Sequence, residues 1–318
     1  MPQTLHMDDP RSTLDAQGYM IVDDVMPLKV LDRMIDALAF RATEYAQQIQ
    51  RAGGPRSFAS EEFSQQLIDV VKSGETWPGQ ALDISLPQAN IALDTPIFLE
   101  PEALEFLTEP RLLDVVEQFI GPQIWMSPVG HTRLKVPRCL APAGNRALGD
   151  TTPWHQDNGV LLEEADTIDI LTVWIPLRES TIENGCLCVM PTPRHADLIE
   201  HCGDGLGIPA SNMPAASPVP LPMRRGSVLI FHPRTVHSAL PNVTRGEVRI
   251  SMDLRYQPVE SPTGRPQFPC FLVRGAEEAG RPLATWQEWR QGWLDARDRL
   301  ANRDTGSFNR WSRLEGCA

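Results

Sequence analysis

The sequence predicts a mainly β protein with flanking helices, its strands arranged as a sandwich or jelly roll. Three observations carry this expectation. Apolar residues keep a helical period up to about residue 120 and change to a period of two from Gln123 onward. Beyond that point, short runs rich in Val, Ile, Trp and Thr are separated by Gly, Pro and Asn, which punctuate strands. Proline makes up 29 of 318 residues, against about one in twenty on average, which suits a loop-rich β protein better than a helical bundle.

In chain order, Gly18–Asp23 reads as a short strand. An amphipathic helix then runs from Pro27 to about Gln50, with Val30, Leu31, Met34, Ile35 and Leu38 at helical spacing. Residues 51–96 are mixed, with a short helix expected near 60–72. Pro101–Ile120 reads as one helix carrying Leu104, Leu107, Leu112, Val115 and Phe119 on one stripe, ended by Gly121-Pro122. Strands are expected near 123–128, 131–137, 152–157, 168–176, 186–190, 227–232 and 248–257. A β-rich run after an α-rich start places helices outside a sandwich or jelly roll. Residues 203–222, with several Gly and Pro and no period, read as a long loop placed to cover a cavity, with Gly203, Gly205 and Gly207 as hinges. A last helix over 283–301 sets Trp286, Trp289 and Trp293 at i, i+3 and i+7, a packing stripe.

Composition bounds the function. The net charge of −12 argues against general binding to nucleic acid or an anionic membrane, so a small-molecule partner is expected. There is no apolar run of membrane-spanning length and the first residues lack the pattern of a signal peptide, so a cytoplasmic location is expected. Six cysteines show no disulfide framework in their spacing. Cys186 and Cys188 read as small apolar side chains on one face of a strand rather than as a ligand pair.

The chemistry begins at Trp154-His155-Gln156-Asp157. On extended chain, residues i and i+2 face one side, so His155 and Asp157 can present an imidazole and a carboxylate to one metal ion. His-x-Asp alone is a weak signal and needs a second histidine from another strand. Of seven histidines, His237 is the best placed, because it follows the apolar strand Gly226–Phe231. His232 is its nearest rival and is expected to pack against or cap the turn at Pro233. His195 and His201 lie in a polar stretch and suggest surface roles. Two histidines and one carboxylate leave coordination positions open, the arrangement of non-haem iron(II) oxygenases.

The run Arg249–Tyr256 alternates without a break. Ile250, Met252, Leu254 and Tyr256 make an apolar face; Arg249, Ser251, Asp253 and Arg255 make a polar one. Such a strand either turns its polar face to water or lines a site with it. In a site, Arg249 would fork onto a carboxylate and Ser251 would add a hydroxyl.

Four segments in order resemble the phytanoyl-CoA dioxygenase (PhyH) family of 2-oxoglutarate-dependent oxygenases. They are Trp154–Asp157; Leu171–Leu177 with Glu183–Leu187; Gly226–His232 through His237 to Pro241-Asn242; and Arg249–Ser251 with Arg255–Pro258. The region around Gly18-Tyr19 and the helix before Gly121 are also similar to the family's opening. The resemblance implies a double-stranded β-helix (a cupin-like jelly roll) and a single oxygenase domain over 1–318. Within it, 1–122 is an α-rich part, 123–258 the core and 259–318 a helical extension.

The resemblance further implies that His155, Asp157 and His237 bind Fe(II), and that Arg249 binds the distal carboxylate of 2-oxoglutarate, with O2 as the other co-substrate. Thr172 and Trp174 share a strand face and would line the co-substrate pocket. Lys135, in Arg133–Pro137, resembles a Lys-x-Pro element of that pocket; a solvated lysine is the alternative. The chain departs from the family's pattern at Pro191–His195 and at Ala239, where many members carry serine; Ser251 would supply the missing hydroxyl. Retention of Asp157 argues against halogenation. The implied reaction is oxidation of a small metabolite or natural product by hydroxylation, desaturation or rearrangement, with release of succinate and CO2. No dense basic cluster suits a CoA tail, so a polar or polycyclic metabolite is expected. A cupin-like metal protein without oxidative chemistry, an isomerase or a ligand-binding module, is the competing reading.

Overall fold

The computed structural model describes residues 10–51, 62–73, 78–141, 151–194, 196–202, 207–275, 283–301, 303, 308 and 310. Two antiparallel sheets face each other. The larger has the order β1-β7-β4-β9-β2-β10, with β3 also paired to β9; the smaller has the order β6-β5-β8. The strands are β1 (Tyr19–Val22), β2 (Ile124–Met126), β3 (His131–Lys135), β4 (Leu171–Pro176), β5 (Leu187–Met190), β6 (Val219–Leu221), β7 (Val228–Phe231), β8 (Val236–Ala239), β9 (Arg249–Pro258) and β10 (Phe271–Arg274). This is a jelly roll with helices on one side, as the change of period predicts.

Strand parity separates the two faces of the large sheet. Ile250, Met252, Leu254 and Tyr256 join a buried cluster with Val173, Ile175, Val228 and Ile230. Helices cover that face: α2 (Leu28–Arg51), α4 (Pro101–Leu107), α5 (Pro110–Ile120) and α6 (Trp286–Leu300) all place apolar residues in the same cluster. Two further helices, α1 (Pro10–Gln17) and α3 (Phe63–Ser73), add Leu14 and Leu67 to the same cluster, α1 against β1 and α3 against α2. The opposite face puts Trp174, Leu229 and Phe231 against Leu187, Val189, Leu221 and Ala239 of the smaller sheet. The space between the sheets therefore receives the odd-numbered, polar side of β9, and the strand is buried almost throughout.

Several elements differ from expectation. Pro101–Ile120 is two helices, not one. Pro110 has no N–H to continue α4, and it excludes Glu109 from the helical region; Glu109 instead caps α5 with φ −52° and ψ 122°. The segment expected as a strand over 152–157 makes only an isolated bridge at His155, and Asp157 opens a 3-10 turn to Val160. His237 does not trail β7 but sits on its own strand, β8, in the smaller sheet. Part of 203–222 is strand β6, paired with β5, and Ile208 is tied by its N–H to the Trp154 carbonyl. Gly203 and Gly205 of the expected hinge lie outside the described residues, as does His195. Cys202 is disulfide-bonded, which the cysteine spacing did not announce. The tryptophan stripe packs as expected: Trp289 and Trp293 are buried and Trp286 donates to the Leu99 carbonyl at 2.9 Å.

Candidate active site

His155 and His237 face each other across the two sides of an antiparallel bridge. Each accepts the other's N–H at its carbonyl, at 3.0 and 2.9 Å, so their imidazoles lie on one side with ring centroids 4.2 Å apart. Gln156 is extended, with φ −114° and ψ 138°. The i, i+2 relation of a strand therefore holds across it and brings Asp157 to the same side as His155, although no strand is formed there. Asp157 Oδ1 lies 3.9 Å from His155 Nε2 and 3.8 Å from His237 Nε2. The three ligand atoms all fall within 4.8 Å of one another, the only such His/Cys/Asp/Glu group among the described residues.

The protonation of this trio suits a cation. Nδ1 of His155 donates to the Pro153 carbonyl at 2.8 Å, and Nδ1 of His237 to that of Thr235 at 3.0 Å. With Nδ1 carrying the proton, each Nε2 keeps its lone pair for a metal. Burial, with the neighbouring His237, pushes His155 down to about 3, so its ring is neutral near pH 7. Burial alone would raise Asp157. The Arg255 guanidinium and the two histidines outweigh it and hold the carboxyl well below the usual range.

The polar face of β9 lines the same space. Arg249, Ser251, Asp253 and Arg255 are all buried, so the reading of a water-facing strand fails. The Arg249 guanidinium is 4 % exposed. Its Nη1 donates to the Ser251 hydroxyl, its Nε has no partner among the described residues, and Trp174 lies beneath it with the ring centroid 5.5 Å from Cζ. No carboxylate pairs with it among the described residues, and burial together with Arg133 pushes it down to about 10. A buried cation without a counter-charge is costly; an anionic ligand would supply one.

Thr172 lies on the site face as expected, and its hydroxyl donates to Asp157 Oδ2 at 2.7 Å. Lys135, opposite Arg249 in the β3–β9 register, is buried and donates to the Leu240 carbonyl at 2.7 Å, so the solvated alternative fails. His232 accepts the Arg234 N–H at 3.2 Å and caps the turn, as expected of it. His201 does not lie at the surface. It is fully buried, donates through Nδ1 to the Ile199 carbonyl and accepts the Gln156 N–H at Nε2. Sequence reasoning placed Asp253 and Arg255 on the polar face of β9 without a role; Arg255 in fact donates to Asp157 Oδ1 at 2.7 Å.

Comparisons with known proteins give the family and the fold. Two curated relatives are 1-deoxypentalenic acid 11-beta-hydroxylases. That of Streptomyces arenae is 28 % identical over 215 residues, covering 63 % of this chain and 73 % of its own. That of Streptomyces exfoliatus is 26 % identical over 249 residues, covering 74 % and 83 %. Among solved structures, the apo form of the non-heme monooxygenase ThoJ superposes with a TM-score of 0.59 at 17 % identity, covering 92 % of this chain and 96 % of ThoJ, which shows a shared fold. The description "Phytanoyl-CoA dioxygenase (PhyH)" matches residues 14–251, well over half of the sequence. With hydroxylase relatives and a His-Asp-His cluster inside a jelly roll, this chain is an Fe(II)- and 2-oxoglutarate-dependent oxygenase and belongs to the phytanoyl-CoA dioxygenase family.

Proposed function

We propose that His155, Asp157 and His237 hold the iron, that Arg249 with Ser251 binds the distal carboxylate of 2-oxoglutarate, and that the oxidised substrate is a small metabolite with a sizeable hydrocarbon skeleton. The observation that carries the co-substrate assignment is the buried guanidinium of Arg249, which pairs with no carboxylate among the described residues, on the same sheet face as the histidine and carboxylate cluster. Iron(II), 2-oxoglutarate and O2 together supply the oxidising power, with succinate and CO2 released. The chain's own residues do the rest. Both histidines are fixed in tautomer by backbone carbonyls, and Trp174 holds the guanidinium plane. The apolar walls formed by Leu187, Leu221, Leu229 and Phe231 keep water from the site.

Those walls support a polycyclic or largely apolar substrate over a CoA thioester, and the named substrate of both hydroxylase relatives is a small organic acid. We also read the three stretches of the chain as one domain; a single buried cluster that includes both Leu14 and Phe308 supports this. The deciding experiment measures succinate formed from 2-oxoglutarate with added iron(II) over a panel of small acids and polycyclic metabolites. Substrate-dependent succinate that disappears in His237→Ala and persists in His232→Ala supports the assignment. The reverse pattern would make His232, not His237, the second histidine ligand.

A further inference from the structure

Both oxygens of Asp157 are engaged by other side chains. Oδ1 accepts Nη2 of Arg255 at 2.7 Å, and Oδ2 accepts the Thr172 hydroxyl at 2.7 Å. Oδ1 is also the oxygen that faces the two imidazoles, 3.9 and 3.8 Å from their Nε2 atoms. Arg255 therefore grips the oxygen turned towards the histidines, and Thr172 the one turned away. The guanidinium is forked: Nη1 donates to Asp253 Oδ2 at 2.6 Å. Asp253 is held from its other side by Arg133, whose Nε and Nη2 reach it at 2.8 and 3.3 Å. The result is a chain of alternating charge, Arg133–Asp253–Arg255–Asp157. Its three inner members are buried, and Arg133, on edge strand β3, is half exposed.

A buried ion-pair network of this kind is poor evidence of added stability, because desolvation offsets most of the attraction. Its geometry has a more specific consequence. A carboxylate tied at both oxygens cannot rotate about its Cβ–Cγ bond. We propose that Arg255 is a positioning residue that fixes the Asp157 carboxylate so that it meets a metal ion through Oδ1 alone, with Asp253 and Arg133 holding Arg255 in place. The proposal rests on the assignment of Asp157 as an iron ligand. Single-oxygen ligation matters because two histidines and one carboxylate oxygen leave three positions of an octahedron open. A chelating keto acid and O2 need all three; a carboxylate that turned to offer both oxygens would take one of them. Only a planar guanidinium can hold two carboxylates at fixed angles. A lysine ammonium brings the charge without the fork.

The test titrates the full-length chain with Co(II), a spectroscopic substitute for iron, in Arg255→Lys, Arg255→Met and Thr172→Val variants, with Asp157→Ala as control. Loss of a residue that orients a ligand typically weakens metal binding about 10–100-fold, and both Arg255 variants are expected in that range. They should also show altered Co(II) visible absorption, since a change from one-oxygen to two-oxygen ligation changes the coordination number. Thr172→Val should shift the spectrum in the same sense and by less. Wild-type affinity and spectrum in Arg255→Lys would show that charge alone suffices and would overturn the positioning role. If Arg255→Met does not fold, the lysine and valine variants decide the matter. Undiminished Co(II) binding in Asp157→Ala would instead overturn the ligand assignment itself, a separate failure from that of Arg255.

Discussion

Arg249 carries a positive charge in a buried position on the polar face of β9. Its guanidinium is buried, one Nη is taken by Ser251, and Nε has no partner among the described residues. Trp174 gives it a stacking surface but no charge. Truncating one member of a buried charge-assisted pair costs about 2–5 kcal/mol. Arg249→Ala is therefore expected to raise the 2-oxoglutarate half-saturation by that free energy while leaving iron affinity near wild type, because Arg249 touches none of the three candidate ligands. Steady-state succinate release against 2-oxoglutarate, beside a metal titration, checks both halves; an unchanged half-saturation removes the assignment. At this scale much was legible. His155 and Asp157 announced themselves through a two-residue period, and His237 through the apolar strand before it. Arg255 and Asp253 were visible only as members of an alternating strand. That pattern is shared by strands with one face in water, and no feature local to β9 reveals that a second sheet covers it.

At the scale of elements, the segment that carries His155 and Asp157 makes only an isolated bridge and a 3-10 turn, and one side chain ties it down. Gln156 lies between His155 and Asp157 and points the opposite way. Its Nε2 donates to the carbonyls of Asp197 and Arg234 at 3.0 and 2.6 Å, its Oε1 accepts the Ile199 N–H at 2.7 Å, and its own N–H goes to His201 at 2.8 Å. These bonds substitute for the ladder that a strand would have supplied. Gln156→Ala removes three of them in a buried setting, and each net hydrogen bond contributes about 1 kcal/mol. The expected loss is roughly 2–4 kcal/mol in denaturant unfolding, with metal affinity lowered as well because the extended geometry at residue 156 is what aligns the two ligands. A variant with wild-type midpoint and wild-type metal binding would show that the backbone holds this shape unaided. The i, i+2 relation legible in the sequence holds here without a strand, since i and i+2 share a side wherever the intervening residue is extended, with or without a sheet. The break at Pro110 was equally open to reading. The apolar stripe of Pro101–Ile120 continues through it and masks it.

Over the whole molecule, the large sheet divides the labour by parity: Ile250, Met252, Leu254 and Tyr256 of β9 pack against the helices, and Arg249, Ser251, Asp253 and Arg255 face the candidate site. The division makes stability and chemistry separable by mutation. Trp289 on α6 is fully buried in the cluster that includes Leu254 and Met126, on the helix side of the sheet. Arg255 is the next residue after Leu254 and points the other way, towards Asp157. Replacing a buried tryptophan by alanine costs about 3–5 kcal/mol in lost transfer energy and cavity formation. That is a large share of the about 5–15 kcal/mol by which such domains are stable. Trp289→Ala is therefore expected to lower the unfolding midpoint sharply. Below that midpoint, the folded protein should bind metal and 2-oxoglutarate as the wild type does, because Trp289 packs in the apolar cluster on the helix side, whereas the bond of Arg255 to Asp157 lies on the other. Calorimetric unfolding paired with metal titration at low temperature reads the two effects independently. If metal affinity falls in step with stability, the two faces of β9 are mechanically coupled and the division by parity does not extend to function.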